Sequence, residues 1–211
     1  MRVYFVRHGE SELNAVNIHQ SPHTILSKRG IQQAKTVVKR FEKISIDLII
    51  TSEYKRAQET AKYIAQKLQK PIIISPLFVE RRRPSEIVGK SIDDPEVVKI
   101  RQLLHKNADN VDWRYSNEEN FFDLIERGKK AIHFIEEQKV DHLLIVSHGG
   151  FIKLLIALFL FEDALTADMY NALYHKSKID NTGITVFETD HHRLNDYSWK
   201  LVTLNDRIHV T

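Results

Sequence analysis

Near its start, the chain places an arginine and a histidine directly after a run of apolar residues. Val3 to Val6 is followed by Arg7, His8 and Gly9. A short apolar run that stops at polar residues and a glycine predicts a buried strand with the charged pair at its C-terminal end. An arginine offers a planar fork of donors for phosphate or carboxylate, and a histidine beside it can act as nucleophile, base or metal ligand. On these residues alone, a strand that ends in two solvated side chains is an equally good interpretation.

A second histidine ends a second apolar run. The segment from 142 to 147 is the clearest buried strand of the sequence, and His148-Gly149-Gly150 follows it. A helix pattern that begins near Ser52 places Arg56 one turn from its start, where the backbone amides and the helix dipole favour an anion. Because parallel strands end at one edge of a sheet, both histidines and Arg56 are predicted to converge there. Two arginines, two histidines and helix N-termini at one point predict a site for a dianion such as phosphate.

The elements that must position these groups alternate along the chain. Short apolar strand patterns at 3–6, 47–51 and 72–74 are separated by helix patterns that begin near Ser27 and Ser52. Such alternation predicts an α/β fold with three α/β/α layers and a mostly parallel central sheet. Further along, the sequence predicts a helix over 122–135, the strand at 142–147 and an apolar helix at 154–161. It also predicts a late hairpin of strands 183–189 and 197–204, joined by 190–196 with His191 and His192 in its turn.

Between the third strand and the later helix the pattern loosens. From Pro84 to Asn120 only Pro95 to His105 has helical spacing, and 111–117 has the composition of a loop. We therefore expect one domain over 1–211 with a helical insertion at about 81–141 that serves as a lid or specificity segment. The structure of 84–120 itself is left open.

Composition limits the classes of function. The chain has 211 residues, 42% of them hydrophobic and 28% charged, which fits one soluble globular domain. A net charge of +3 is too small to imply nucleic acid, and the absence of cysteine excludes disulfides, thiolate zinc sites and cysteine nucleophiles. The apolar run at 154–161 is too short to span a bilayer, and no signal-peptide region is seen, so no membrane contact and a cytoplasmic location are expected. The oligomeric state is left open.

Several motifs together resemble the signature of the histidine phosphatase superfamily, which has the phosphoglycerate mutase-like fold. They occur in the family's order from the start of the chain to the apolar helix, and Ser27 stands where threonine is usual. The segment from 81 to 141 resembles the family little. The matching residues are Arg7-His8-Gly9-Glu10-Ser11 with Asn14; Leu26, Gly30, Gln33 and Ala34; Ser52-x-x-x-Arg56-Ala57-x-x-Thr60-Ala61; Ser147-His148-Gly149-Gly150; and Asn181-Thr182-Gly183.

The resemblance implies a metal-independent phosphatase with no cofactor, in which His8 attacks phosphorus and becomes a phosphohistidine. Arg7, Arg56 and His148 would neutralise the phosphoryl oxygens, while Asn14 and the Gly149 amide add hydrogen bonds. The residue types support this reading independently, because neighbouring cations disfavour protonation of an imidazole and so keep it nucleophilic. Phosphoryl transfer needs mainly positioning and charge stabilisation, which this set supplies without a metal.

The family's proton donor is a glutamate shortly after the third strand, and Glu80 is the candidate here. Glu86 is the reserve candidate. The alternative is that Glu80 only forms a surface ion pair with Arg81 or Arg83. The run Arg81-Arg82-Arg83 is itself either solvated or a contact for a second phosphate or an acidic substrate.

Competing functions are weighed against this reading. His19 and His23 have the spacing of zinc ligands on a helix, but Pro22 lies between them, so a metal is not expected. A phosphoglycerate mutase is the nearest competitor, although the Arg-His-Tyr-Gly-like continuation typical of mutases is absent after Glu80. A catalytically silent phospho-ligand or protein-binding module is the competitor from another class. The expected substrate is a phosphorylated small molecule, with a phosphoprotein as the alternative.

Overall fold

Six strands form one sheet in the computed structural model, which describes residues 1–189 and 199–210. The order across the sheet is β3-β2-β4-β1-β5-β6. The first four of these are mutually parallel, β5 is antiparallel to β1, and β6 is antiparallel to β5. The strands are β1 (Arg2–Arg7), β2 (Leu48–Ser52), β3 (Ile72–Ser75), β4 (His142–Ser147), β5 (Ile184–Glu188) and β6 (Lys200–Asp206).

Helices cover both faces of this sheet, so the predicted three-layer α/β/α fold is confirmed. In β1, Val3 and Phe5 pack under one helical layer while Tyr4 and Val6 pack under the other, as the alternation of side chains along a strand requires. The helices are α1 (Glu12–Ala15), α2 (Lys28–Val37), α3 (Lys55–Leu68), α4 (Pro95–Lys106), α5 (Phe121–Glu136), α6 (Gly149–Phe161) and α7 (Ala167–Lys176). The layers consist of α2 and α3 on one face, and of α5 and α6 on the other.

Three local predictions need correction. The polar stretch after Ser11 contains the short helix α1, because the Ser11 hydroxyl accepts from the amide of Asn14 and caps it. Ser52 does not open α3: it pairs with Ser75 as the last residue of β2, and the helix begins at Lys55. Helix α7 was not predicted, although Thr166 caps its first turn.

The late hairpin forms as β5 and β6, with the second strand shifted to Lys200–Asp206 from the predicted 197–204. The joining segment 190–196, with His191 and His192, lies outside the described residues.

The predicted insertion divides into two unlike parts. Residues 84–120 leave the sheet and bury a small cluster of their own, in which Ile87 packs with Val97 and Ile100 of α4. Helix α5 instead packs Leu124 and Ile135 in the main core over β1 and β4. The segment that departs from the layered core therefore ends near 120, and its role as a lid stays a prediction.

No helix within the described residues is long and apolar enough to cross a membrane.

Candidate active site

The strand order places His8 and His148 side by side. β1 and β4 are adjacent and parallel, with Arg7 opposite Ser147, so each histidine is the first residue after its strand at the same edge. Their ring centroids lie 5.0 Å apart. His8 is 2% exposed and His148 is fully buried. This is the edge where ligands bind in open α/β sheets, and the sequence predicted this meeting of the two rings.

The partners of His8 assign its tautomer. Nδ1 lies 2.6 Å from the carbonyl oxygen of Gly9, which only accepts, so Nδ1 bears the proton. The Nε–H group of Arg56 donates to Nε2 at 3.2 Å, so Nε2 presents its lone pair. Burial, then the charges of Arg56 and Arg7, hold the pKa of His8 well below its usual value of 6.5. The imidazole is thus neutral at physiological pH, with Nε2 as its nucleophilic atom.

His148 is held through its Nε2 atom, the nitrogen that in His8 is the nucleophile. Its Nε2 lies 2.8 Å from the hydroxyl oxygen of Ser52, which also accepts from the amide of Tyr54. The hydroxyl can donate its proton to Nε2, and in that arrangement Nδ1 is the protonated nitrogen of a neutral ring. Within the described residues Nδ1 is a buried polar atom without a hydrogen-bond partner. Burial, followed by the charge of Arg56, lowers the pKa of His148 well below 6.5. The ring can donate a hydrogen bond from Nδ1.

Arg56 reaches the histidines from the first turn of α3. It is 2% exposed, donates from Nη1 to the carbonyl of Ser21 at 2.9 Å, and lies over the ring of Tyr54 at 5.2 Å. Burial lowers its pKa to about 10, which leaves it charged at neutral pH. Among the described residues no carboxylate forms an ion pair with it, so a bound anion would be its counter-charge.

Arg7 is held at the end of β1 by oxygen acceptors on two sides. It donates to the carbonyl of Ile179 at 2.6 Å and to Oδ1 of Asn14 at 3.2 Å, and burial lowers its pKa. Its Nε is buried without a partner in the part of the chain that the structure describes. Asn14 thus orients Arg7, a role that the sequence did not indicate. Gly149 lies against Arg7, since a Cβ there would be 3.4 Å from the arginine's Cδ and Nε.

Gly149 and Gly150 form the N-terminus of α6, whose first amides have no intrahelical acceptor. The carboxylate of Glu80 lies on this turn: Oε2 accepts from the amide of Gly150 at 3.0 Å and Oε1 from the amide of Arg81 at 2.9 Å. Gly150 makes room for it, because a Cβ at that position would lie 2.5 Å from Oε1. The contact between Glu80 and Arg81 is thus through the backbone amide and not through an ion pair.

Glu86, the reserve candidate, is exposed, and its carboxylate lies 3.3 Å from the hydroxyl of Ser85. Hydrogen bonds with its own backbone and then with Ser116 lower its pKa. It has no contact with the two histidines. The structure therefore brings Glu80 to the cluster and leaves Glu86 outside it.

Arg127, which is partly buried, and Glu119, which is buried, are supporting residues that the sequence analysis missed. Arg127 donates to the carbonyls of Leu77 and Val79, both at 2.9 Å, and of Glu80 at 3.4 Å. Glu119, 2% exposed, accepts from Arg127 at 2.7 and 2.8 Å. Burial raises the pKa of Glu119, but hydrogen bonds and charge from Arg127 and Arg82 outweigh this and lower it. The pair fixes the backbone that leads to Glu80.

Asn181 is a further support, since its Nδ2 donates to the carbonyl of His8 at 3.0 Å. The sequence noted Asn181 only as part of a family-like motif. Within the described residues no group of three or more histidine, aspartate or glutamate side chains is arranged to hold a metal ion. Neither His19 nor His23 therefore belongs to such a group.

Comparison with known proteins gives matches over most of the chain. A model of the histidine phosphatase superfamily (branch 1) matches residues 3–207. The adenosylcobalamin/alpha-ribazole phosphatase of Escherichia coli (strain K12) is 33% identical over 168 residues, 74% of this chain and 78% of that protein. A protein of Escherichia fergusonii named "Probable phosphoglycerate mutase GpmB" is 32% identical over 154 residues, 71% of this chain and 70% of its own. The crystal structure of the alpha-ribazole phosphatase from Shigella flexneri has a TM-score of 0.77 at 26% identity, and the match covers 98% of this chain and 96% of that one.

Proposed function

The chain belongs to branch 1 of the histidine phosphatase superfamily, and from this premise we propose that it hydrolyses phosphomonoesters through a phosphohistidine on His8, without a metal. The observation that supports this best is the state of His8, a buried neutral imidazole whose Nε2 lone pair faces Arg56. Relatives named as phosphatases support the hydrolytic class, and the expected substrate is a phosphorylated small molecule.

In the first step, Nε2 of His8 attacks phosphorus, and the bond from phosphorus to the alcohol oxygen breaks. Arg7, Arg56 and the Nδ1–H of His148 bind the non-bridging oxygens, together with the amide of Gly149. These donors lie in a buried site, where interactions with the charge of the transition state are stronger than in water. Glu80 supplies the proton that the leaving alcohol takes.

In the second step, Glu80 takes a proton from a water molecule, whose oxygen attacks the phosphorus of the phosphohistidine. The bond from phosphorus to Nε2 breaks, inorganic phosphate forms, and His8 regains its neutral state. Glu80 can serve both steps because its carboxylate accepts from the amide of Gly150 in the first turn of α6. That helix begins directly after His148. One carboxyl group acts as acid and then as base.

The test is phosphate release from a broad panel of phosphorylated metabolites, with His8→Ala as the matched inactive variant. We expect the wild type to release phosphate and His8→Ala to release none, while vanadate still binds the variant through the remaining arginines and His148. Quenching without acid should trap labelled phosphate on the wild type only. Full activity of His8→Ala would refute the nucleophile.

A phosphoglycerate mutase is the second candidate, favoured by the relative from Escherichia fergusonii that bears that name. The two functions differ in the fate of the phosphohistidine, which water attacks in a phosphatase and a second hydroxyl of phosphoglycerate attacks in a mutase. A single-turnover experiment with phosphoglycerate measures both rates on the same labelled enzyme. Transfer to phosphoglycerate that is faster than hydrolysis would establish the mutase. Release of phosphate alone would establish the phosphatase and exclude a silent binding module.

A further inference from the structure

A cavity of about 660 Å³ lies beyond Glu80 and is lined by Arg81, but by none of the proposed catalytic side chains. It begins at Arg81, the residue after Glu80, and its walls come from the segment 84–120, which leaves the sheet, and from α7. Tyr174 joins it to the catalytic side: Lys153, one turn after Gly150 in α6, donates to the Tyr174 carbonyl at 2.6 Å. This volume is that of a small-molecule site and is far larger than one phosphate ion needs.

The charged lining of the cavity is predominantly positive. Arg81, Arg83 and Arg101 face it, against one carboxylate, that of Glu118. The two oxygens of Glu118 accept from backbone amides at 2.7 and 2.9 Å, so this carboxylate is held by its own loop and not by the arginines. No carboxylate among the described residues forms an ion pair with any of the three arginines. Arg82, by contrast, does not line the cavity and pairs with Glu119 at 3.2 Å.

Two polar atoms on the cavity wall also lack a partner within the described residues. They are the hydroxyl of Tyr170, a residue only 2% exposed, and Nε2 of His19. Arg83 donates to the hydroxyl of Tyr174 at 2.9 Å and Arg81 to the carbonyl of Glu119 at 3.4 Å, so their partners are neutral and their charge has no counter-ion among the described residues. A buried hydroxyl without a hydrogen bond is unfavourable, and its position beside these cations indicates an anionic ligand that accepts hydrogen bonds. The ring of Tyr170 stacks on Phe121 at 5.9 Å, which gives the same wall an apolar surface.

We propose that this cavity binds a second anionic group of the substrate, a phosphate or a carboxylate, while the scissile phosphate lies at His8. The preferred substrates are then small molecules with two separated acidic groups joined by a body that contacts the apolar wall. This inference rests on the proposed function, because it assigns the far end of the same substrate. Arginine suits the task, since its planar fork matches both phosphate and carboxylate.

The test compares matched compounds of equal chain length. Hexyl phosphate has one acidic group, while hexanediol bisphosphate and the phosphate ester of hydroxyhexanoic acid have a second phosphate or carboxylate at the far end; propyl and butyl series vary the separation. The variants are Arg83→Gln, Arg101→Gln and Tyr170→Phe. Lys99→Gln is the control, because Lys99 lies on α4 two residues from Arg101, is exposed and does not line the cavity.

We expect the wild type to prefer the doubly acidic compounds in kcat/KM by roughly tenfold to a hundredfold, the effect of a hydrogen bond to a charged group. Arg83→Gln and Arg101→Gln should each reduce this preference and leave hexyl phosphate hydrolysis unchanged, whereas Lys99→Gln keeps it. The bisphosphate and carboxylate series show which anion fits better. An active wild type without such a preference, or an equal loss in Lys99→Gln, would overturn the proposal.

A binding measurement separates this proposal from the catalytic one. Calorimetry with hexane bisphosphonate and hexyl phosphonate, which are not hydrolysed, should give the same preference and the same loss in Arg83→Gln. If the wild type hydrolyses nothing but still prefers the bisphosphonate, the proposed function fails and the anion subsite stands. Equal affinity for the two phosphonates would refute the subsite.

Discussion

Gly150→Ala should displace the carboxylate of Glu80, the proposed acid, without a substitution of Glu80 itself. A Cβ at Gly150 would lie 2.5 Å from Oε1 of Glu80, closer than real Cβ contacts come, and 3.1 Å from its Cδ, which is tighter than most real contacts. The carboxylate is the end of a flexible side chain, so we expect it to move away from the α6 N-terminus while the backbone stays. Because alanine is favoured over glycine in helices by up to about 1 kcal/mol, the fold should lose little or no stability. Its Tm should stay unchanged or rise by about 2–4 °C.

The catalytic loss should depend on the leaving group. Loss of one general acid costs roughly a hundredfold to ten-thousandfold in rate, and this is the upper bound for Gly150→Ala on alkyl phosphates. An aryl phosphate such as p-nitrophenyl phosphate has a good leaving group and needs little acid, so its phosphorylation step should be nearly unchanged. The assay is pre-steady-state phosphate transfer with both substrates, alongside Glu80→Gln as the direct removal of the acid.

A double-mutant cycle decides whether the effect passes through Glu80. If Gly150→Ala acts only by displacing Glu80, the double variant should be no slower than Glu80→Gln alone, because contacting residues are not additive. Additive losses would mean that the new methyl group disturbs His148 or Gly149 instead. An unchanged rate with alkyl phosphates in both single variants would refute Glu80 as the acid and make Glu86 the next candidate.

Three further predictions concern the cationic cluster. Arg56→Ala should lower kcat by roughly a hundredfold to a thousandfold with little change in Tm, since its buried guanidinium has no carboxylate partner among the described residues; a large Tm loss with normal kinetics would make Arg56 structural. His8 and His148 have pKa values below 6.5 in the fold. As pH falls below 6.5, only the unfolded chain binds protons on these two histidines, so the free energy of unfolding decreases. Urea titrations should show a decrease of about 1.4 kcal/mol per pH unit for each histidine until its folded pKa is reached. His8→Ala should flatten this slope, and an unchanged slope would contradict the assignment. Activity should persist in excess chelator; loss that a divalent ion restores would establish a metal.

Strand ends could be predicted because two local signals coincide there. The apolar runs before Arg7 and before His148 stop at polar residues and glycine, and parallel pairing of β1 with β4 then brings both histidines together. The fold, the family and the meeting of these residues follow from sequence patterns within a few residues. Helix α7 also had such a signal, since Tyr170, Leu173 and Tyr174 recur at helical spacing after the Thr166 cap.

Other features depend on partners distant in sequence, and no local pattern indicates them. Arg127 lies in the charged stretch Glu126-Arg127-Gly128-Lys129-Lys130, which looks like a solvated helix face, yet it donates to carbonyls before Glu80 that are about fifty positions away. Ser52 has the residue type of a helix cap, but pairing with Ser75 keeps it in β2, where its hydroxyl serves His148. Propensity gave way to tertiary contacts at both positions.

The positive charge of the site at neutral pH comes from arginine and not from histidine. Burial lowers the pKa of four groups, namely Arg7, His8, Arg56 and His148. Arg56, with a pKa of about 10, stays charged, whereas the pKa values of His8 and His148 fall well below 6.5 and both rings stay neutral. The guanidinium groups of Arg7 and Arg56 also contribute directly to the lowered pKa of His8. The groups proposed to bind the phosphate dianion therefore also keep the nucleophile unprotonated. Replacing either arginine by a neutral residue weakens both effects at once, although burial and the other arginine still lower the pKa of His8. Because the transition-state charge also loses a partner, loss of one cation is expected to cost more in rate than in substrate affinity.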